Sequence, residues 1–356
     1  MAARQATWPG LNRSAAAASD HRTVELLDAV LAGTAGREVD VLTTMRAFTA
    51  RSIAEYCFGA DSTGVPDLLH ETIRATQAFT ESSYEFPGWL PLPRHRRFFR
   101  TVRRLTEAQT GIVRRRRAPD AHAPGACAPH SDLLGFLLDA DPVLADDTMV
   151  RMLHGILMGG HGVPAAGLTS LVWELARRPR LVGDLRDEAN GAAGGSAGGS
   201  AGGSAGGDAP LSADRLPPAE AVVRETLRLY PPAWLMTRTA SAATTLGDWS
   251  LDPGDDVLLN AYLIHRDPRR WERPDEFDPA RWLDGRSAPG PAYLPFGAGP
   301  RVCLGSALTL RQLTLVTARL AQRFTVTSPN ATTVDLEFVG RLAPAGLRAG
   351  FPPVRQ

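Results

Sequence analysis

A chain of 356 residues with 44% hydrophobic composition has room for one large domain or two ordinary ones, and can bury an extensive core. A formal net charge of +1 excludes the strong global field that non-specific nucleic-acid or membrane-surface binding draws on. Three cysteines (Cys57, Cys127 and Cys303) are too few and too scattered for a disulfide framework and fit a reducing cytoplasm, and there is neither a bilayer-length apolar run nor a signal peptide.

Residues 1–20 are Ala-rich and poorly patterned, which predicts a frayed, solvated terminus. Val24, Leu26, Leu27, Val30 and Leu31 mark a first helix stopped by Gly33 and Gly36. Val41, Leu42, Met45, Phe48, Ile53 and Phe58 mark a second, stopped by Gly59. A helix over 66–83 precedes Phe86-Pro87-Gly88-Trp89-Leu90-Pro91-Leu92-Pro93, whose prolines forbid helix continuation. Residues 94–117 form a basic helix ending in four arginines, Arg114 to Arg117. Cations in a last turn complement the helix dipole, so no nucleic-acid role is assigned. Residues 118–130 read as a loop, with Ser131 as the cap of a short helix.

The longest helical pattern covers 145–178 and stops before Pro179. Its middle, Gly159-Gly160-His161-Gly162-Val163-Pro164, is costly: Gly and Pro lose about 1 and 3 kcal/mol against Ala in a helix interior. Such a segment points to a kink or to close approach of a ligand to the backbone. The Gly/Ser-rich stretch 191–208 reads as a flexible insertion without chemistry. A helix over 217–229, opened by Pro217-Pro218, places Glu225 and Arg228 on one face, where they can pair. Residues 233–264 then switch to short strands, including a hairpin around Gly247 and Gly254, and 325–356 close with further strands.

The most specific stretch is Phe296-Gly297-Ala298-Gly299-Pro300-Arg301-Val302-Cys303-Leu304-Gly305, followed by a helical pattern from Leu304 to Phe324. It places Cys303 where a loop turns into a helix, an environment that lowers a thiol's pKa and favours metal-binding thiolate. Glycines here let the backbone approach a flat group.

This stretch resembles the haem-binding signature of the cytochrome P450 family. The helix with Glu225 and Arg228, followed by Leu229-Tyr230-Pro231-Pro232, resembles the family's E-x-x-R helix. Phe277-Asp278-Pro279-Ala280-Arg281-Trp282 resembles the loop that supplies the third member of a buried triad, Arg281. The resemblance implies a mainly α, single-domain P450-type fold over 1–356 with a small β-region, N-terminally truncated because it opens near the family's third helix.

It further implies haem b (iron protoporphyrin IX) with Cys303 as axial ligand. Arg238 and Arg301 would hold the propionates, with His265 either a further propionate contact or a plain structural cap, and Phe296, Gly297 and Gly305 would shape the loop. Ala233 to Met236 would line the substrate pocket. Trp8 and Arg13 are spaced five apart, where the family's propionate-binding pair is spaced by four. Gly159, Gly160, Gly162 and Val163 would line the oxygen side. There the family usually has an acid and a threonine at the positions of Gly162 and Val163, and neither replacement can donate a proton. His161 is a candidate relay.

The implied reaction is insertion of one oxygen atom of O2 into an apolar small molecule such as a terpenoid, polyketide or other secondary metabolite. Electrons would come from a ferredoxin-type or reductase donor, in a cytoplasmic, monomeric protein without a membrane anchor. Several alternatives stay open: proton delivery by a substrate hydroxyl, a haem-thiolate reaction without conventional O2 cleavage (peroxide use, rearrangement or coupling), a weak or degenerate enzyme, a non-catalytic haem carrier or sensor, and an inactive fragment.

Overall fold

The computed structural model describes residues 7, 9–34, 36–80, 90, 92–118, 132–140, 143–194, 210–283 and 290–354. The helices are α1 (Arg13–Ala17), α2 (Asp20–Ala32), α3 (Val41–Phe58), α4 (Val65–Thr80), α5 (Pro93–Arg117), α6 (Leu133–Leu138), α7 (Asp146–Arg177), α8 (Pro179–Gly194), α9 (Pro217–Leu229), α10 (Ala261–Ile264) and α11 (Ser306–Arg323). Short antiparallel ladders make up the β-region. β1 (Val39–Asp40) pairs with β8 (Arg348–Ala349), and β2 (Leu235–Thr239) with β5 (Asp256–Asn260). β3 (Thr244–Leu246) pairs with β4 (Trp249–Leu251), and β6 (Leu336–Glu337) with β7 (Ala343–Pro344). The β3–β4 hairpin turns at Gly247, whose φ of 59° is the left-handed conformation that glycine adopts without strain.

Two buried clusters organise the helices. One gathers α2, the first half of α3, the last third of α7, and α8, α9 and α11. The other gathers the second half of α3, α4, α5, α6, the first third of α7 and Leu308. On α7, Met149 to Leu157 belong to the second cluster and Ala165 to Leu175 to the first. The glycine-rich middle therefore falls on the seam between them. α7 stays helical through this segment, although Pro164 lacks the N–H that would reach the Gly160 carbonyl.

Several expectations are corrected. The terminus is packed rather than frayed from residue 9 onward: Leu11 and Ala16 are buried, and Asn12 caps α1 by accepting the Ala15 N–H. Asp20 is buried against Arg311, which also binds Asp214, so the early chain is tied to α11 by charge. The cap of α6 is Asp132, which accepts the Gly135 N–H and also pairs with Arg116; Ser131 lies outside the described residues. α8 runs to Gly194, so the flexible insertion does not begin at 191; 195–208 lie outside the described residues, as do 81–89 and most of 118–130.

Candidate active site

The site is built outward from α9. Its buried face carries Glu225 and Arg228, each 0% exposed, three residues apart and therefore on one side of the helix. Arg228 Nε and Nη2 donate to the two Glu225 carboxylate oxygens at 2.9 and 2.8 Å, a fork-on-fork pairing. Arg281 Nε reaches Glu225 Oε1 at 3.0 Å, completing the expected triad. The Asp278 N–H and the Trp282 indole N–H also donate to the carboxylate, at 2.9 and 3.0 Å. Arg228 spends its remaining donors on the carbonyls of His265, Pro274 and Glu276. One buried ion cluster thus fixes the whole irregular segment between α10 and Trp282.

The cysteine loop follows. Gly297 and Gly299 have φ of 70° and 72°, which side-chain-bearing residues rarely adopt. These turns bring the Cys303 N–H to the Phe296 carbonyl at 2.9 Å, closing the loop at its neck. Cys303 is exposed, in contrast to Cys57, whose thiol is buried and pushed up by desolvation. α11 begins at Ser306 with Gly305 as its N-cap, so Cys303 lies two residues ahead of the cap rather than at the helix start.

Cys303 borders a cavity of about 450 Å³. Arg301, Gly305, Leu308 and Thr309 line one side; Met152, Gly155, Ile156, Gly159 and Gly160 of α7 line another, with Ile53 of α3. A Cβ on Gly159 would meet nothing within 4 Å, so the backbone there is bare toward open space. Arg238 stands on β2, exposed, with Nη1 donating to the Thr237 carbonyl at 2.7 Å. Met236, two residues earlier and so on the same strand face, lies against Gly297, while Arg238 itself does not line the Cys303 cavity. An exposed thiol, a bare helix backbone and the Arg301 guanidinium at one cavity fit a flat metal-centred group carrying carboxylates.

Other candidate residues fall elsewhere. Gly162 faces Arg341: a Cβ there would sit 2.6 Å from the guanidinium carbon, and Gly162 borders a separate cavity with Arg46 and Arg341. Val163 is half-buried, and neither it nor Gly162 lines the cavity at Cys303. His161 is buried, and desolvation, with the charges of His70, Arg46 and Arg341, pulls its pKa down to about 3. It stays neutral in ordinary buffers and does not line the Cys303 cavity, so the relay reading is set aside.

His265 is corrected as a propionate contact. It is fully buried, with Nδ1 on the Arg228 carbonyl and Nε2 on the Leu294 N–H, so no ring nitrogen is left for a ligand. Trp234 packs edge-on against Phe338, and among Ala233 to Met236 none lines the Cys303 cavity. Arg13 pairs with Asp214, and Trp8 lies outside the described residues. Sequence reasoning missed Met152, Gly155 and Ile156, although their spacing from Gly159 places them on its face of α7. Ile53 carries no such signal, because only the crossing of α3 and α7 brings it there.

The sequence profile described as Cytochrome P450 matches residues 21–343. The chain belongs to the cytochrome P450 family. Among its relatives, cyclooctatin synthase of Streptomyces melanosporofaciens is 33% identical over 309 residues, covering 82% of this chain and 63% of the relative. Cyclooctat-9-en-7-ol 5-monooxygenase of the same organism is 29% identical over 314 residues, covering 84% and 64%. The chain therefore spans just under two thirds of the length of these relatives. The crystal structure of the cytochrome P450DA heme domain superposes with a TM-score of 0.82 at 22% identity, covering 99% of this chain and 77% of that one, which establishes the P450 fold.

Proposed function

We propose that this P450 chain acts as a haem-thiolate monooxygenase, inserting one atom of O2 into an apolar small molecule. Its substrates are a terpenoid, polyketide or related secondary metabolite, and its electrons come from a ferredoxin-type or reductase donor. The observation that carries the reading is the exposed thiol of Cys303, held in a closed loop at the edge of a cavity walled by the bare backbone of α7. A relative from Streptomyces supports the reaction, since it is named cyclooctat-9-en-7-ol 5-monooxygenase.

Haem, when bound, supplies the centre at which dioxygen is activated. The rest falls to the chain. The Cys303 sulfur would be the ligand to iron, presented by the loop just ahead of α11. Arg301 and Arg238 would hold the propionates. Met152, Ile156, Ile53 and Leu308 keep water from the cavity and select apolar ligands. Among the described residues no helix is long and apolar enough to cross a membrane. Monomeric, cytoplasmic operation belongs to the proposal.

One observation favours a second reading. The middle of α7 offers no side chain at Gly162 or Val163 that can hold a proton next to the cavity. Protons then come from the substrate's own hydroxyl or from solvent, or the reaction bypasses O2 cleavage through peroxide, rearrangement or coupling. Stoichiometry separates these, because only a monooxygenase consumes dioxygen and reduced nicotinamide together. The primary reading is tested by the reduced carbon-monoxide difference spectrum of the haem-loaded chain. A thiolate-specific Soret band is expected for wild type and is lost in Cys303→Ser; wild type without that band refutes the assignment.

A further inference from the structure

His265 joins two parts of the molecule that the sequence keeps apart. It follows α10 directly and is 0% exposed. Its Nε2 accepts the backbone N–H of Leu294 at 2.7 Å, and its Nδ1 lies 2.9 Å from the carbonyl oxygen of Arg228. A backbone N–H only donates and a carbonyl only accepts, so the ring is the neutral tautomer with its proton on Nδ1. The tie to Arg228 is reciprocal, since Arg228 Nη1 donates to the His265 carbonyl at 2.8 Å. On the other side, both backbone polar groups of Leu294 are held: its N–H by His265, and its carbonyl by the Gly297 N–H at 3.1 Å. Two residues after Leu294 comes Phe296, whose carbonyl closes the loop onto the Cys303 N–H.

We propose that His265 is a positioning residue: its neutral ring couples the buried Glu225–Arg228 pair to the Cys303 loop, and protonation of the ring releases that loop. The coupling is a property of the chain itself; only its consequence for the cofactor rests on the functional reading above. A protonated ring has N–H at both positions, so Nε2–H would point at the Leu294 N–H and the bond would become a repulsion.

The surroundings resist that protonation. Burial is the largest influence lowering the His265 pKa, the hydrogen bond to Arg228 opposes it, and the charges of Arg228 on α9 and of neighbouring Arg266 add to the lowering, from the ordinary 6.5 to about 4. The Tyr293 ring packs against it at 5.6 Å with its phenol held neutral by burial, and the Trp271 ring at 6.4 Å carries no charge. Glu225 is committed to Arg228 and Arg281, and Asp267 to Arg269. Because the folded-state pKa lies below the unfolded one, the stabilisation is complete above about 6.5 and is lost as pH falls through about 4.

The test uses the full chain and two variants. His265→Gln keeps an acceptor for Leu294 and a donor for the Arg228 carbonyl but does not titrate, whereas His265→Phe keeps the ring and loses both bonds. Backbone hydrogen exchange is followed in the peptide spanning 290–304, corrected for intrinsic rates, with peptides from α7 as the folding control. Wild type is expected to protect this peptide at neutral pH and to lose protection through about pH 4. His265→Gln keeps protection across that range, and His265→Phe exchanges about tenfold faster or more at neutral pH.

A phenylalanine variant exchanging at the wild-type rate overturns the proposal, as does a glutamine variant losing protection at the wild-type pH. Should His265→Phe fail to fold, the comparison of wild type with His265→Gln decides. Carbon-monoxide difference spectra of the same haem-loaded proteins keep the two readings distinct. Absence of the thiolate band in all of them refutes the functional reading, while the exchange data still decide the role of His265.

Discussion

Replacing Glu225 by glutamine tests the part of the structure on which the cysteine loop depends. The substitution is isosteric, so any effect is electrostatic. Glu225 Oε1 accepts from Arg228 Nη2, Arg281 Nε and the Asp278 N–H, and Oε2 from Arg228 Nε and the Trp282 indole. Whichever oxygen becomes an amide NH2, at least two of these donors then face another donor. Arg228 and Arg281, 0% and 6% exposed, lose their counter-charge, although Arg228 retains three backbone carbonyls. Breaking a buried pair by removing one partner costs about 3–5 kcal/mol, against a whole-domain stability of about 5–15 kcal/mol. Urea unfolding followed by far-UV circular dichroism should therefore show a midpoint shift at unchanged slope, and the haem-loaded variant should lose its thiolate band at lower urea than wild type. A loss below about 1 kcal/mol, the level of an exposed ion pair, would refute the reasoning.

The glycines of α7 separate in a similar way. Gly159→Ala adds a methyl where nothing lies within 4 Å, so helix propensity should stabilise the haem-free chain by about 1 kcal/mol while the methyl narrows the cavity and weakens haem uptake. Gly160→Ala meets Ile53 Cγ1 at 2.5 Å, and overpacking of about 1–3 kcal/mol outweighs the same gain in propensity; urea melts and haem titration of the two variants check the contrast. Burial raises the Glu188 carboxyl to about 7 while its Oε2 accepts the Ala219 N–H. Its folded pKa lies above the ordinary 4.5, so its contribution is full below that value and is lost as pH rises through about 7. Thermal melts of Glu188→Gln should show an advantage over wild type that grows across that window and is absent at lower pH.

Local and periodic features of this protein were legible from its sequence. The helices ending at Gly33 and Gly59, the long helix over 145–178 and the proline-opened α9 all follow from apolar spacing and terminators, which act within a few residues. The pairing of Glu225 with Arg228 follows from helix geometry, and the cysteine stretch is distinctive enough to carry a family resemblance. Contacts across long sequence separations were not legible. That residues 9–20 are packed depends on Asp20 meeting Arg311, 291 positions away. That Gly162 faces Arg341, and Gly160 faces Ile53, depends on how α7 sits against α3 and the segment after β6.

His265 shows the division most clearly. Its type and neighbourhood admit a ligand contact or a structural bridge equally, because imidazole serves both. Only burial between the Arg228 carbonyl and the Leu294 N–H decides between them, since each ring nitrogen makes one directed bond and both are already taken. The sequence alone determined which chemical groups were present and which helices carried them. The tertiary packing decided which of those groups still had a free valence facing the cavity.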